Sequence, residues 1–561
     1  MTETDRVAKA RRAVLEFLLI NHPLDCPYCD KAGECDLQDL AMKYGPTTGR
    51  FAEGKRRHPE NFEDPIIVRN MERCILCSKC IRMCDNVQCA SAISIINRGT
   101  KSSVEPFSGG KYNCEYCGNC LPVCPVGAIT SRAHRHDFRP WLIEKEVETV
   151  CFYCGVGCTM LLQIRRNSIA RVVSRSDLGF NRGLLCNRGR FGYDYVQSSE
   201  RLDAPLIRRN GELQPAAWAE ALAYVAQRLR EIKAKKGGDV IAGIASGRCT
   251  NEDAYVFQKF FRGVLGSNNI DSVASLAYGP AQKYFEGIFG QGITANLIHG
   301  ISNSDGIVVV GGDPTTVNPV LGLQIRSAFN KGVPVVVLGY TQGLEGFSRH
   351  RLIPNSSTET VLLASLVSEL KNRISLTGER PSFEKIITDL QPAPLKDSSD
   401  ICGIPVHELA HVVTALSTMS NPSIIIGRNV IQTSNGHINL LLLAALVYLL
   451  NGRIYLLSET PNEQGLLDMG CQPDMLPCGR PLSIETFRKR CEQLLEIEIP
   501  PNPGLSYTET IEAAHDGKIR ALYVMGEDVM CSLPGTDYIR DALGNLEFLV
   551  VQDCFLTETA Q

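Results

Sequence analysis

No stretch of the sequence is apolar for long enough to span a bilayer. The longest apolar run, Leu440–Leu450, is about half of the roughly 20 residues a membrane helix needs. An excess of one charge is also missing. Lys and Arg number 58 against 61 Asp and Glu, a net −3, which excludes the basic footprint of a nucleic-acid binder and the acidity of a solvating tail. A cleavable signal peptide is lacking too. Lys9-Ala10-Arg11-Arg12 followed by Ala13-Val14-Leu15 is how a twin-arginine export signal would begin, but Glu16 interrupts the apolar stretch, His22-Pro23 follows soon after, and no small-residue cleavage site comes next. The expected reading is an amphipathic helix with Val7, Val14 and Leu18 inward, in a cytoplasmic protein.

What is present is cysteine. Of 23 Cys, sixteen fall within residues 1–186. Disulfide scaffolds are usually small secreted domains without room for a core. This chain has 561 residues and 44% hydrophobic content, enough for three or four domains with real cores. In a reducing compartment, clustered Cys reads as metal ligation.

Four ligand sets follow. The first is His22, Cys26, Cys29 and Cys35, in HPLDCPYCDKAGEC. The two-residue gap lets Cys26 and Cys29 grip one centre, and Gly33 permits the turn before Cys35. An imidazole in place of a thiolate removes a negative charge and is expected to shift the potential upward. A structural Cys3His zinc site is an equal reading of this set alone; the three sets downstream turn it to iron.

The second and third sets are Cys74, Cys77, Cys80, Cys84 and Cys114, Cys117, Cys120, Cys124, with Pro125 after the last. Both follow CxxCxxCxxxC, the two-cluster ferredoxin pattern, in which the fourth Cys of each run ligates the other cluster. Cys74, Cys77, Cys80 and Cys124 are therefore assigned to one 4Fe–4S cluster. Cys114, Cys117, Cys120 and Cys84 are assigned to the other. Cys89 is left as a buried thiol without a ligand role. The fourth set is Cys151, Cys154, Cys158 and the distant Cys186, with Gly155 and Gly157 relieving crowding and Ile164–Val173 as a strand in a small antiparallel insertion between them. Fifteen Cys and one His thus make ligands for four clusters, which suits a wire for single electrons.

From about residue 205, cysteine thins out and α/β alternation begins. Asp239–Ala245, Gly306–Val310, Val333–Leu338, Ser423–Ile426, Ala521–Met525 and Phe548–Val551 read as buried strands. Helices are expected from Asn251, as N-cap, through Phe261, and over Val317–Asn330. Strands separated by helices predict parallel, doubly wound sheets. Gly311-Gly312-Asp313-Pro314 stands where such folds bind nucleotides, although a tight structural turn is as good a reading. His134 and His136 read as packing or solvated histidines. Cys471, Cys478, Cys531 and Cys554 read as ordinary buried thiols, and Lys233–Lys236 as a solvated helix end.

The segments KARRAVLEFLLINHPLDCPYCDKAGECDLQDL, MERCILCSKC, CPVGAIT, VCFYCGVGC and LCNRGRFGYDY resemble the iron–sulfur-rich G subunit of bacterial NADH–quinone oxidoreductase, respiratory complex I. Looser similarity runs on through GGDPTTVNPVLGLQI, NEQGLLDMG and LEFLVVQDCFLTETA. The later part resembles the molybdopterin oxidoreductase fold. The resemblance implies a His/Cys-ligated segment at 1–60, a two-cluster ferredoxin-like α+β domain at 61–145, a 4Fe–4S domain at 146–204 and molybdopterin-oxidoreductase-like α/β domains at 205–561.

In molybdenum formate dehydrogenases a Cys or selenocysteine followed by His binds the metal; Ala277 and Tyr278 stand at the comparable place here. Ala offers no lone pair, Tyr cannot replace His as a near-neutral proton carrier, and Cys249 lies in another segment. Arg188 stands where molybdenum enzymes often carry Lys. The implied protein is an electron-relay subunit between a flavin subunit that oxidises NADH and a quinone-reducing module. It would have no substrate site of its own, four 4Fe–4S clusters and no molybdopterin, and it would meet the membrane only through partners. A 2Fe–2S cluster is expected on a missing N-terminal domain or a partner, because the chain opens in sequence resembling the end of that domain. The chain is also expected to be incomplete at its C-terminus. The Cys114–Cys124 run, which many G subunits lack, keeps the catalytic or electron-input subunit of a molybdenum-dependent, NAD-linked formate dehydrogenase as the alternative. A structural zinc protein is the third reading.

Overall fold

The computed structural model describes residues 2–58, 64–107, 113–290, 292–294, 296, 298–374 and 393–561. The chain divides into two compact units: residues 1–151 with 157–197, and residues 152–156 with 198–561.

The first unit is built from short elements. Helices Asp5–Leu19 and Asp36–Tyr44 flank the first cysteine loop. Thr4 caps the first helix, its side chain accepting from the Val7 amide. Leu15 is the buried residue of that helix and Leu18 packs beside it as expected, whereas Val14 is exposed, against expectation. The strands Ile67–Arg69 and Ile129–Ser131 pair antiparallel, Ile67 opposite Ser131. Ser94–Ile96 pairs with Ser103–Glu105 in the same sense. Residues on and beside these strands, among them Ile67, Met71, Ile93, Val104, Val126 and Ile129, form a small core that also includes Cys35, Cys80 and Cys124.

A three-stranded antiparallel sheet follows: Lys145–Val150, Thr159–Arg165 and Ser168–Val173. The expected single strand Ile164–Val173 is a hairpin. Arg166 and Asn167 both take left-handed conformations, φ 49° and 58°, the pair a two-residue reversal needs.

The second unit holds two wholly parallel sheets. In one the order is Ile270–Ser272, Ile241–Ala245, Ala521–Met525, Phe548–Gln552. In the other it is His350–Leu352, Val335–Leu338, Ile307–Val310, Ser423–Ile426, Arg453–Leu456. The three central strands of the second sheet are buried throughout, as expected for a sheet covered by helices on both faces. The apolar run at 440–450 belongs to helix Gly436–Leu450, which packs in the core with helix Glu359–Lys371. Among the described residues no helix is long and apolar enough to cross a membrane.

Three expected helix features shift. Thr250, not Asn251, caps helix Asn251–Lys259, through a reciprocal bond with Asp253. That helix passes into a wider turn over Phe260–Leu265. The second expected helix starts at Pro319 and ends at Asn330, after a separate short helix Pro314–Val317. Cys471 is buried, whereas Cys478, Cys531 and Cys554 are exposed, against expectation.

Candidate metal centres

In the ferredoxin-like part, two cavities are walled by cysteine. Cys74, Cys77 and Cys80 line the first together with Cys124 from the second run. Cys114, Cys117 and Cys120 line the second together with Cys84 from the first run. Apart from Ser78, the other walls of the first are apolar, with Met71, Ile75, Val104 and Val126.

The two runs repeat each other in conformation as well as in spacing. Leu76 and Tyr116, each two residues past the first Cys, have φ 54° and 52°. Ser78 and Gly118, two further on, have φ 61° and 69°. Left-handed backbone at a non-glycine residue costs on the order of 1–3 kcal/mol and is kept where a site demands it. Here it turns amides toward sulfur. The Leu76 amide donates to Cys74 Sγ and the Tyr116 amide to Cys114 Sγ, both at 3.3 Å. The Ala92 amide donates to Cys84 Sγ at 3.2 Å. Such donors stabilise a thiolate. Burial works the other way, pushing the Cys80 and Cys117 thiols up to about 12. An uncoordinated thiol here would stay protonated; bound iron would hold it as thiolate.

The first set also fits a metal centre. Cys29 and Cys35 are buried. A Cβ on Gly127 would stand 2.1 Å from Cys29 Sγ, so this glycine makes the room the thiol occupies. Gly33 has φ +92°, as the turn before Cys35 requires. The buried Nδ1 of His22 has no hydrogen-bond partner, and burial holds the imidazole below its ordinary pKa. A neutral ring with a vacant lone pair is what a metal ligand needs. Arg73 fixes the loop from the neighbouring module, donating through Nε and Nη2 to Asp25 Oδ2 at 3.0 and 2.6 Å.

Of the fourth set, Cys151 and Cys158 are joined by a backbone bond of 2.8 Å. Cys186 precedes helix Asn187–Phe191. Asn181 ties the returning loop beside Cys158, accepting from the Thr159 amide at 3.0 Å and donating to the Leu184 carbonyl at 2.8 Å. Cys154 is buried in the Phe152–Val156 segment. Gly155 is explained by close approach to Ser458, 2.4 Å from a built Cβ. Among the described residues no three His, Cys, Asp or Glu side chains converge on the spacing of a single ion.

In the second unit, Ala277 is buried and offers no donor. The Tyr278 hydroxyl donates to Gln464 Oε1 at 3.0 Å. The Gly311-Gly312 turn is explained by packing. A Cβ on Gly311 would stand 2.5 Å from Val430 Cβ, and one on Gly312 would stand 2.8 Å from Gly427 Cα. Asp313 accepts from Thr315 and, across the turn, from the Gln342 amide. A cavity lined by Gly311, Gly339, Tyr340 and Asn429 opens at the carboxyl ends of these strands, where doubly wound sheets bind ligands.

His134 is held down at about 4 by burial, and His136 pairs with Asp30 at 3.2 Å. Cys89 is buried. Lys233 donates to the Val264 carbonyl and Lys236 to Glu547, so the helix end is tied down as well as solvated. Sequence reasoning missed Gly127, Asn119 and Arg190, because each acts on a cysteine loop through a contact that spacing does not encode.

Paired cysteine cavities ahead of parallel, doubly wound sheets define a class: iron–sulfur modules joined to an α/β oxidoreductase scaffold. Comparison with known families agrees. Molybdopterin oxidoreductase matches residues 201–561. The NADH-ubiquinone oxidoreductase-G iron–sulfur binding region matches 11–50, the ferredoxin-like domain of NADH-quinone oxidoreductase subunit 3 matches 64–130, and the molybdopterin oxidoreductase Fe4S4 domain matches 144–198. The chain belongs to the molybdopterin oxidoreductase family and carries iron–sulfur-binding domains of the complex I G-subunit type.

It is 34% identical to the second G subunit of NADH-quinone oxidoreductase from Rhizobium meliloti, over all of this chain and 65% of that protein. It is 31% identical to the NADPH-Fe(3+) oxidoreductase subunit alpha of Geobacter sulfurreducens, over all of this chain and 66% of that one. The chain thus spans just under two thirds of the length of these relatives. Acetylene hydratase from Pelobacter acetylenicus shares the fold, with a TM-score of 0.58 and 16% identity over 74% of this chain and 62% of that one.

Proposed function

We infer that the chain is an electron-relay subunit of an NADH–quinone oxidoreductase type of assembly. It would take single electrons from a flavin subunit that oxidises a reduced nicotinamide nucleotide and hand them toward a quinone-reducing module. The observation that carries this is the crossed pair of cysteine cavities: Cys124 with Cys74, Cys77 and Cys80, and Cys84 with Cys114, Cys117 and Cys120. Two more clusters are assigned to His22, Cys26, Cys29 and Cys35, and to Cys151, Cys154, Cys158 and Cys186. Each cluster would supply a store for one electron. The protein's part is to hold the thiolates, aim amides at them and keep water out.

The relatives' names share reduced nicotinamide as donor and differ in acceptor, quinone in one and ferric iron in the other. The donor side of this proposal is therefore its firmer half. No side chain that could ligate molybdenum stands at Ala277, so chemistry on a substrate is assigned to other chains. Membrane association would come through those partners.

Metal analysis of anaerobically purified full chain tests this. Four 4Fe–4S clusters predict about sixteen iron per chain, with no molybdenum or zinc. About one molybdenum per chain, with formate oxidation, would overturn the relay in favour of a formate dehydrogenase.

A further inference from the structure

Asn119 and Arg190 form a buried junction within the first unit. Asn119 sits between Cys117 and Cys120 in the wall of the second cavity and is 2% exposed. Its Oδ1 accepts from the Leu185 amide at 3.2 Å and from Arg190 Nη2 at 2.9 Å. Its Nδ2 donates to the Leu185 carbonyl and to Gln88 Oε1, both at 3.1 Å. Leu185 directly precedes Cys186. The Arg190 amide donates to the Cys186 carbonyl at 3.1 Å. Arg190 itself is 5% exposed. Its Nε donates to the Cys117 carbonyl at 3.0 Å, and its Cδ occupies the space a Cβ on Gly118 would need, 2.4 Å away.

The partners of this guanidinium are a carbonyl and an amide oxygen, both uncharged. A guanidinium stays charged even when buried. Burial pulls the Arg190 pKa down, and the nearby Cys117, Cys120 and Cys186 sulfurs pull it back up. Its Nε reaches the Cys117 carbonyl and its Nη2 the Asn119 side chain in the cavity wall, so its charge stands beside whatever the Cys84/Cys114/Cys117/Cys120 cavity holds. Arg69 and Glu115 also line the cavity; Arg69 pairs with Asp64, and Glu115 accepts from Gln88.

We propose that Arg190 is a positioning residue that holds a fixed positive charge between the Cys84/Cys114/Cys117/Cys120 cluster and the Cys186 loop, raising that cluster's reduction potential so that it draws electrons toward the fourth site. The inference rests on the cluster reading above. The step it governs is a one-electron reduction: the cluster gains an electron, its donor loses one, and no bond forms or breaks. A cation in a low-dielectric wall stabilises the more negative, reduced state. The Asn119–Leu185 bonds provide a short bridge from one cysteine loop to the next.

Potentiometric titration of the full chain, followed by electron paramagnetic resonance, is the test. The signal of this cluster is the one Cys117→Ser removes. Arg190→Gln withdraws the charge, and Asn119→Asp, almost the same shape, neutralises it in place. Each is expected to lower the one-electron reduction constant at least tenfold, about 59 mV. Arg190→Lys should restore most of the shift, and the cluster in the Cys74 cavity should move less. An unchanged midpoint in Asn119→Asp with iron content retained would overturn the inference, even if Arg190→Gln loses iron. If the parent protein has no signal that Cys117→Ser removes, the cluster reading fails and takes this inference with it.

Discussion

Single residues set the local chemistry here through contacts remote in sequence. Gly127 shows it most directly: its hydrogen is all that fits beside Cys29. Gly127→Ala should displace that thiol and lower iron by about one four-iron cluster per chain, read by metal analysis, while clusters in the two ferredoxin cavities persist. In the second unit Asp271 is 1% exposed. It accepts from the Tyr507 amide at 2.6 Å and the Ser275 hydroxyl at 2.7 Å, yet burial raises its carboxyl to about 7. A carboxyl whose folded pKa exceeds its unfolded value adds stability that is full below about 4 and lost as pH rises through about 7. Melting of the second unit should therefore fall between about pH 4 and 7, and Asp271→Asn should flatten part of that slope. A slope unaltered by the substitution would clear Asp271. Glu463, raised to about 7 by burial, contributes with the same sign, as do Asp468 and Glu527, which burial also raises.

At the scale of elements, the crossing of the two cysteine runs makes a sharp prediction. Cys124→Ser should alter the same resonance signal as Cys77→Ser, and Cys84→Ser the same signal as Cys117→Ser. If each instead follows its own run, the cavities do not hold clusters as assigned. The spacing of these runs was legible because short-range backbone geometry repeats with it, down to the left-handed residues at equivalent places. Buried strands such as Ser423–Ile426 and Ala521–Met525 were equally legible from β-branched and apolar runs. The insertion at 159–173 was legible as antiparallel, but the place where it reverses was not. Its reversal uses Arg166 and Asn167 rather than the glycine that usually marks such a turn. The helix start at Thr250 was missed by one residue, since Thr250 and Asn251 are both good caps and only the bond to Asp253 decides. Asn119 and Arg190 left no local trace, because their partners lie 66 and 73 residues away.

The whole molecule divides its stability unevenly. The first unit has short strands and a small core that includes Cys35, Cys80 and Cys124, which are proposed as ligands. The second has a large aliphatic core around the five-stranded sheet. Metal binding is then a large part of folding free energy for the first unit alone. Protein produced without iron should lose the low-temperature protection of residues 2–197 and keep the cooperative melting of the second unit. Hydrogen exchange resolved by segment would show this, and equal protection in both preparations of the first unit would contradict it.

The crossed ligands also bear on the order of synthesis. A nascent chain that has emerged as far as Cys84 already presents three of the cysteines that line the first cavity, but the fourth, Cys124, is the last cysteine of the ferredoxin-like part to be made. The second cavity in turn waits on its own run while its fourth wall, Cys84, has been exposed from the start. The second site cannot close before translation passes residue 120 and the first before residue 124, so two clusters held as proposed would be completed within a few residues of each other.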